Sequence, residues 1–227
     1  MTLIRRKTLF APYIAAGLIG AAGATGAAQA ADQQLSFYGG LQTAPHSVVQ
    51  GVDSEGNAFD FTAAWDGKSF EMPPYWGVRY NYWRKDDWGL SLDFSHSKVY
   101  SDDATRDDNG FEVLEFTDGL NVLTVNAMRR FSEPDRAWTP YVGAGLGITV
   151  PHVEVQADGG ARTNGYQFGG YAAQAQVGVD YALSDRWSVF AEYKFNYTSN
   201  DVELKNGGNL ETDIITNAIN LGVSFGF

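Results

Sequence analysis

The chain has 227 residues, 44% of them hydrophobic and 14% aromatic, with 26 glycines, no cysteine, and 27 acidic against 16 basic residues. That is one domain's worth, or at most two, and the missing cysteine excludes a disulfide framework, a thiolate nucleophile and a cysteine-ligated metal site. The acidic balance argues against nucleic acid as a partner, because phosphate neutralisation needs clustered Lys and Arg. A mean hydropathy of -0.25 leaves little room for helical membrane spans, but it does not exclude spans made of strands, where polar and apolar side chains alternate and the average hides both.

Arg5, Arg6 and Lys7 precede an apolar, glycine-rich run from Thr8 to Gly26, and Ala28-Gln29-Ala30 follows as a small-residue cleavage site. This is the pattern of a secretory signal peptide over residues 1–30, removed to leave a mature domain over 31–227. The mature chain then carries a formal charge of -14 and leaves the cytoplasm.

From Leu35 onward the dominant period is two, which sends alternate side chains to opposite faces of a strand. Strands are expected around Leu35–Gln42, Trp76–Tyr82, Trp88–Ser95 and Leu123–Met128, and again around Trp138–Ile148, Ala173–Tyr181, Trp187–Tyr197 and Ile215–Phe227. No segment sustains a 3.6-residue period, so helix is confined to short pieces of loop. The connections alternate between tight turns (84–87, 132–137, 184–186) and long loops (44–74, 100–119, 151–169, 198–213). A secreted β-sandwich would share the alternation but not this asymmetry. Trp88, Trp138 and Trp187 enter the strand after each tight turn, an aromatic girdle at one depth. The expected fold is all-β: an eight-stranded antiparallel transmembrane β-barrel, an up-and-down meander with short periplasmic turns and long extracellular loops.

Eight strands enclose an interior that side chains fill, so no open pore is expected. Parity places Arg79, Arg130 and Lys194 inside with Asp93, Asp180 and Glu192, which reads as an internal network of paired charges. The four long loops hold 18 acidic and four basic residues and account for the whole mature charge. Acidic tips keep the chain solvated during transit, or they bind divalent cations through oxygen ligands.

The three histidines fall near the loop ends of their strands. His46 and His152 each follow a proline, which would stop strand pairing there. Parity turns His46 inward but leaves His96 on the Phe94 face. The three histidines read either as interfacial residues with polar tips at the headgroups or, with Glu115, Asp118 or Glu154 as acid, base or fourth ligand, as a nitrogen and oxygen donor set of His46, His96 and His152 suited to iron or copper. Ser47 and Ser97 adjoin two of these histidines, but strand neighbours point to opposite faces, which disfavours a Ser–His dyad.

The run Pro140-Tyr141-Val142-Gly143-Ala144-Gly145-Leu146-Gly147 resembles the small outer-membrane barrel superfamily. Four segments resemble, more narrowly, the lipid A oxidases of alphaproteobacteria: Trp65–Phe70, His96–Tyr100, Leu114–Asn121 and Val150–Val155. The resemblance implies location in the Gram-negative outer membrane, insertion by the barrel assembly machinery through the terminal strand ending Phe225-Gly226-Phe227, and a monomer. It also implies oxidation of the proximal glucosamine of lipid A to 2-aminogluconate by molecular oxygen with a divalent cation, and lipopolysaccharide as the partner. It carries over no catalytic residue. Such an oxidation needs a redox-active centre; with no cysteine and no dinucleotide fingerprint, a metal held by the histidines is the expectation. The other class in view is a structural or adhesin-like barrel whose acidic loops bind lipopolysaccharide cations or surfaces.

Overall fold

The computed structural model describes residues 32–116, 118–134 and 136–227; the signal peptide expected over 1–30 lies outside them. In chain order the first strands are β1 (Asp32–Thr43), β2 (Ser47–Val52), β3 (Ala58–Ala63), β4 (Trp65–Asp66), β5 (Trp76–Trp83), β6 (Trp88–His96) and β7 (Val99–Ser101). A short helix α1 (Asp103–Asn109) follows, then β8 (Phe111–Phe116), β9 (Val122–Arg130), β10 (Trp138–Thr149), β11 (His152–Ala157), β12 (Thr163–Tyr166), β13 (Gly170–Ala182), β14 (Trp187–Glu203) and β15 (Asn209–Gly226). Eight of these, β1-β5-β6-β9-β10-β13-β14-β15, pair antiparallel in a ring that β1 and β15 close. The three tight turns and the strand starts at Trp88, Trp138 and Trp187 are as expected.

Polarity within this ring is inverted relative to a soluble barrel. Phe37, Leu41, Leu90, Val125, Leu146, Val177, Ile219 and Leu221 project outward and are exposed, while Arg79, Asp93, Asn126, Gln176, Glu192 and Lys194 are buried inside. Only a surrounding hydrocarbon makes that exchange favourable, and a closed ring leaves no strand edge unpaired within it.

One cluster fixes the ring's centre. Arg79 donates from Nε to Asp93 Oδ2 at 2.5 Å, and from both Nη atoms to Glu192 at 2.6 and 2.8 Å. Lys194 Nζ donates to Asp93 Oδ1 at 2.8 Å and to the Tyr38 hydroxyl. Tyr38, Tyr141 and Asn220 donate to the same two carboxylates. Two cations and two anions therefore cancel, and every carboxylate oxygen accepts at least one bond. Arg130 and Asp180 stand apart from the cluster: Arg130 pairs with Asp87 in the first tight turn at 3.0 Å, and Asp180 accepts from Ser188 at 2.9 Å. Both lie nearer the turn end, so the expected network of six charges is a network of four.

Above the lipid-facing band the long connections are not open loops. Strands β14 and β15 pair without interruption from Trp187↔Phe225 to Glu203↔Asn209, so most of 198–213 is strand. The β2–β3 hairpin adds to the extended β15, and a second sheet of order β12-β11-β8-β7-β4 faces it. Between them Val49, Trp65, Val99, Leu114, Phe116, Leu120, Val153, Val155, Leu210 and Ile214 form an apolar core. Each such side chain contributes about 1.5–3 kcal/mol over leaving it in water, which offsets the ordering of the connections.

Removing one member of the central cluster leaves a buried charge without its counterpart. Asp93→Asn should destabilise the folded barrel by about 3–5 kcal/mol, read as a lower urea midpoint in phospholipid vesicles.

Candidate functional site

The second sheet has two faces, set by strand alternation. Trp65, Val99, Leu114, Phe116, Val153 and Val155 turn into the core. The other face carries a continuous row in register: Asp66 opposite Tyr100, Tyr100 opposite Glu115, Glu115 opposite Glu154, and Glu154 opposite Asn164. His152, two residues before Glu154, lies on this face opposite Tyr166.

Two carboxylates directly opposed across strands repel, and here cations offset the repulsion. Arg162 pairs with Glu154, which also accepts from Asn164 at 3.2 Å. Lys98 is fully buried; its ammonium donates to the Glu71 carbonyl at 3.0 Å and lies 4.8 Å from the centre of the Tyr100 ring. Lys68 lies 4.9 Å from the same ring. Burial lowers the Lys98 ammonium below the usual lysine range, with the Glu71 carboxylate opposing. Burial, with Glu115 and Asp118 nearby, pushes the Tyr100 phenol up to about 12.

The segment from Asp118 to Asn121 stitches this face to the barrel rim. Leu120 donates its backbone N–H to the Ser97 carbonyl at 2.7 Å, and His152 donates its own to the Gly119 carbonyl at 3.0 Å. The Asn121 amide donates to the carbonyls of Asp118, Gly119 and Val150, and its oxygen lies 3.0 Å from His96 Nδ1. Gly119 has φ +89°, and a Cβ there would stand 2.4 Å from His96 Nδ1, so only glycine fits.

His96 and His152 thus flank Gly119, with His152 Nε2 4.0 Å from Asp118 Oδ2. His96 Nε2 and His152 Nδ1 are each buried with no hydrogen-bond partner, which fits them in kind as donors. His96 is on the outward face, as parity indicates, stacked on Trp76 at 6.2 Å. His46 is not with them. It is exposed rather than inward, in the break between β1 and β2. Among the described residues, no three His, Asp or Glu side chains stand close enough together to hold a metal ion. Lys98, Tyr100 and Asn121 fall within the segments that resemble lipid A oxidases, but nothing local in the sequence marks them as site residues. Their signal is burial of a polar group above the membrane, which parity alone does not reveal.

Residues 15–227 match the family described as the outer membrane protein beta-barrel domain. The chain belongs to this family. Its location is accordingly the outer membrane, with the second sheet beyond the outer leaflet. No protein of curated function matches the chain in sequence. Among solved structures, Neisserial surface protein A is 16% identical over 86% of this chain and 97% of that one, with a TM-score of 0.48. The N-terminal β-barrel domain of Pseudomonas aeruginosa OprF is 16% identical over 87% and 100%, with a TM-score of 0.44. Ail of Yersinia pestis, in complex with the heparin analogue sucrose octasulfate, is 11% identical over 84% and 98%, with a TM-score of 0.37.

The elevated Tyr100 phenol has a measurable sign. An unfolded phenol ionises near 10.0 and this one near 12, so the unfolded chain releases its proton first. Stability contributed by neutral Tyr100 is present below pH 10 and falls as pH rises toward 12. Phenolate absorbance of the folded protein minus that of Tyr100→Phe should show a midpoint near 12.

Proposed function

We propose that this barrel modifies lipid A in the outer leaflet, oxidising the proximal glucosamine to 2-aminogluconate at the polar face of the second sheet. One observation carries the reading. The four segments that resemble lipid A oxidases are dispersed over 65–155 in the sequence, yet they adjoin one another as β4, the β6–β7 junction, β8 with its following turn, and the β10–β11 junction. They supply every member of the row from Asp66 to Glu154, together with Lys68, Lys98, Asp118 and both buried histidines.

The face suits a sugar at a membrane surface. In this reading Glu115 and Glu154 would accept from sugar hydroxyls, Tyr100, protonated at neutral pH, would donate, and half-exposed Asp118 would take up the proton. His96 and His152 would supply two nitrogens to the metal, with no third His, Asp or Glu of the described residues close enough to complete the set, and the metal when bound would supply the electron transfer to oxygen. His46 has no part in this reading.

Mass spectrometry of lipid A from cells with and without the protein tests it. A gain of one oxygen on the proximal sugar, abolished in anoxic culture, is the expected result. Loss of an acyl chain would mean hydrolysis, and an unchanged lipid would leave a non-enzymatic barrel whose exposed carboxylates bind cations or surfaces. His152→Gln should cut the oxidised fraction at least about tenfold, as for an essential donor group, while the heat-modifiable folded band persists. His46→Gln should leave both unchanged.

A further inference from the structure

Between β4 and β5 the chain does not leave the barrel wall. Above the Gly39↔Trp76 pair, β1 loses β5 as its neighbour, and residues 67–69 take the vacated edge. Ser69 Oγ accepts from the Gln42 N–H at 2.8 Å and donates to the Gln42 carbonyl at 3.1 Å. Gly67 is pressed so close to the Gln42 carbonyl that a Cβ would stand 2.1 Å from it. Tyr75 closes the turn by donating its N–H to the Ser69 carbonyl at 2.8 Å. The base of the turn is buried on both sides, through Ser69 and Tyr75.

Its tip is the opposite. Met72 and Phe70 are 83% and 75% exposed, the two most exposed large apolar side chains among the described residues, and they lie outside every strand of the ring. Their level is fixed by the wall. Ser69 is beside Gln42, and the preceding residue, Leu41, is an outward member of the lipid-facing band, opposite Ile219. Trp76, also outward, begins β5 directly after the turn. The exposed pair therefore continues the apolar band upward on one side of the barrel.

We infer that the tip of this turn is a lipid-contacting element, with Phe70 and Met72 entering the outer leaflet beside Leu41. The occupant is the leaflet itself, because the patch is continuous with the band that hydrocarbon already covers, and an apolar pair at that depth is excluded from water by the same effect that holds the band. Between the two apolar residues, Glu71 gives its carbonyl to the Lys98 ammonium, and Lys68 lies over Tyr100. The turn thus touches lipid on one side and roofs the polar face on the other. This inference does not depend on the oxidase reading.

The absence of native cysteine makes the test direct. Single variants Phe70→Cys and Met72→Cys carry a nitroxide label, and the full chain is folded into phosphatidylcholine vesicles and checked for its heat-modifiable band. Collision of the label with oxygen is compared with collision with a water-soluble nickel complex. Leu41→Cys serves as the lipid reference and Asn206→Cys, on an exposed turn, as the aqueous one. Labels at 70 and 72 should match the reference at 41, with an oxygen-to-nickel ratio severalfold above that at 206. A ratio at either position equal to that at 206 overturns the inference.

Discussion

The structure rests on where charge can be placed when the solvent outside is hydrocarbon. A ring of eight strands has a narrow interior, and half of each strand's side chains must enter it. Since the outward half is apolar, the inward half carries the polar residues, and their cost is bearable only if they satisfy one another. Arg79, Asp93, Glu192 and Lys194 do so with no charge left over, helped by the hydroxyls of Tyr38 and Tyr141. Closure of the lumen follows from the same fact, because these groups and Phe190 fill the middle of the barrel.

Strand β14 shows how one strand crosses two solvents. Above Phe190 its inward residues are Glu192, Lys194, Asn196, Thr198 and Asn200, then Val202, with Leu204 next in the same phase; its outward residues there run Tyr193, Phe195, Tyr197 and Ser199, then Asp201 and Glu203. The period of two never breaks, but the polarity exchanges sides near Asn200, where the strand leaves the membrane. Below that level apolar side chains seek the outside, and above it they seek the inside. The outer sandwich is therefore a water-facing fold continuous with a membrane fold, with no linker between them.

That exchange also explains what the sequence does and does not disclose. The eight ring strands and the three entry tryptophans are legible because one rule of alternation holds throughout the band. The strand content of 198–213 is hidden, since a reader following apolar-outward parity meets Asn200, Asp201 and Glu203 and sees the pattern fail, when it has only inverted. His46 fails for a different reason: parity turns it inward, but β1 has already ended at Thr43 and the side chain is exposed. Lys98 is a harder case. A lone lysine beside a strand end is ordinarily solvated, and only the Lys68–Glu71 turn folding across it buries the ammonium. His96 and His152 come together through Gly119, whose positive φ and closeness to the imidazole are tertiary facts with no local signature.

The position of the polar face restricts what it can meet. A soluble ligand could approach any part of the outer sandwich, but the residues that are both buried and ionisable, Lys98, Tyr100, His152 and Glu154, are gathered on the second sheet, which is tied to the rim at Ser97 and Gly119. Exposed aspartates elsewhere, such as Asp107 on α1, Asp201 on β14 and Asp213 on β15, face water. Burying ionisable groups costs stability that exposed ones do not cost. Within the outer sandwich that cost is concentrated on the second sheet, beside the rim of the barrel.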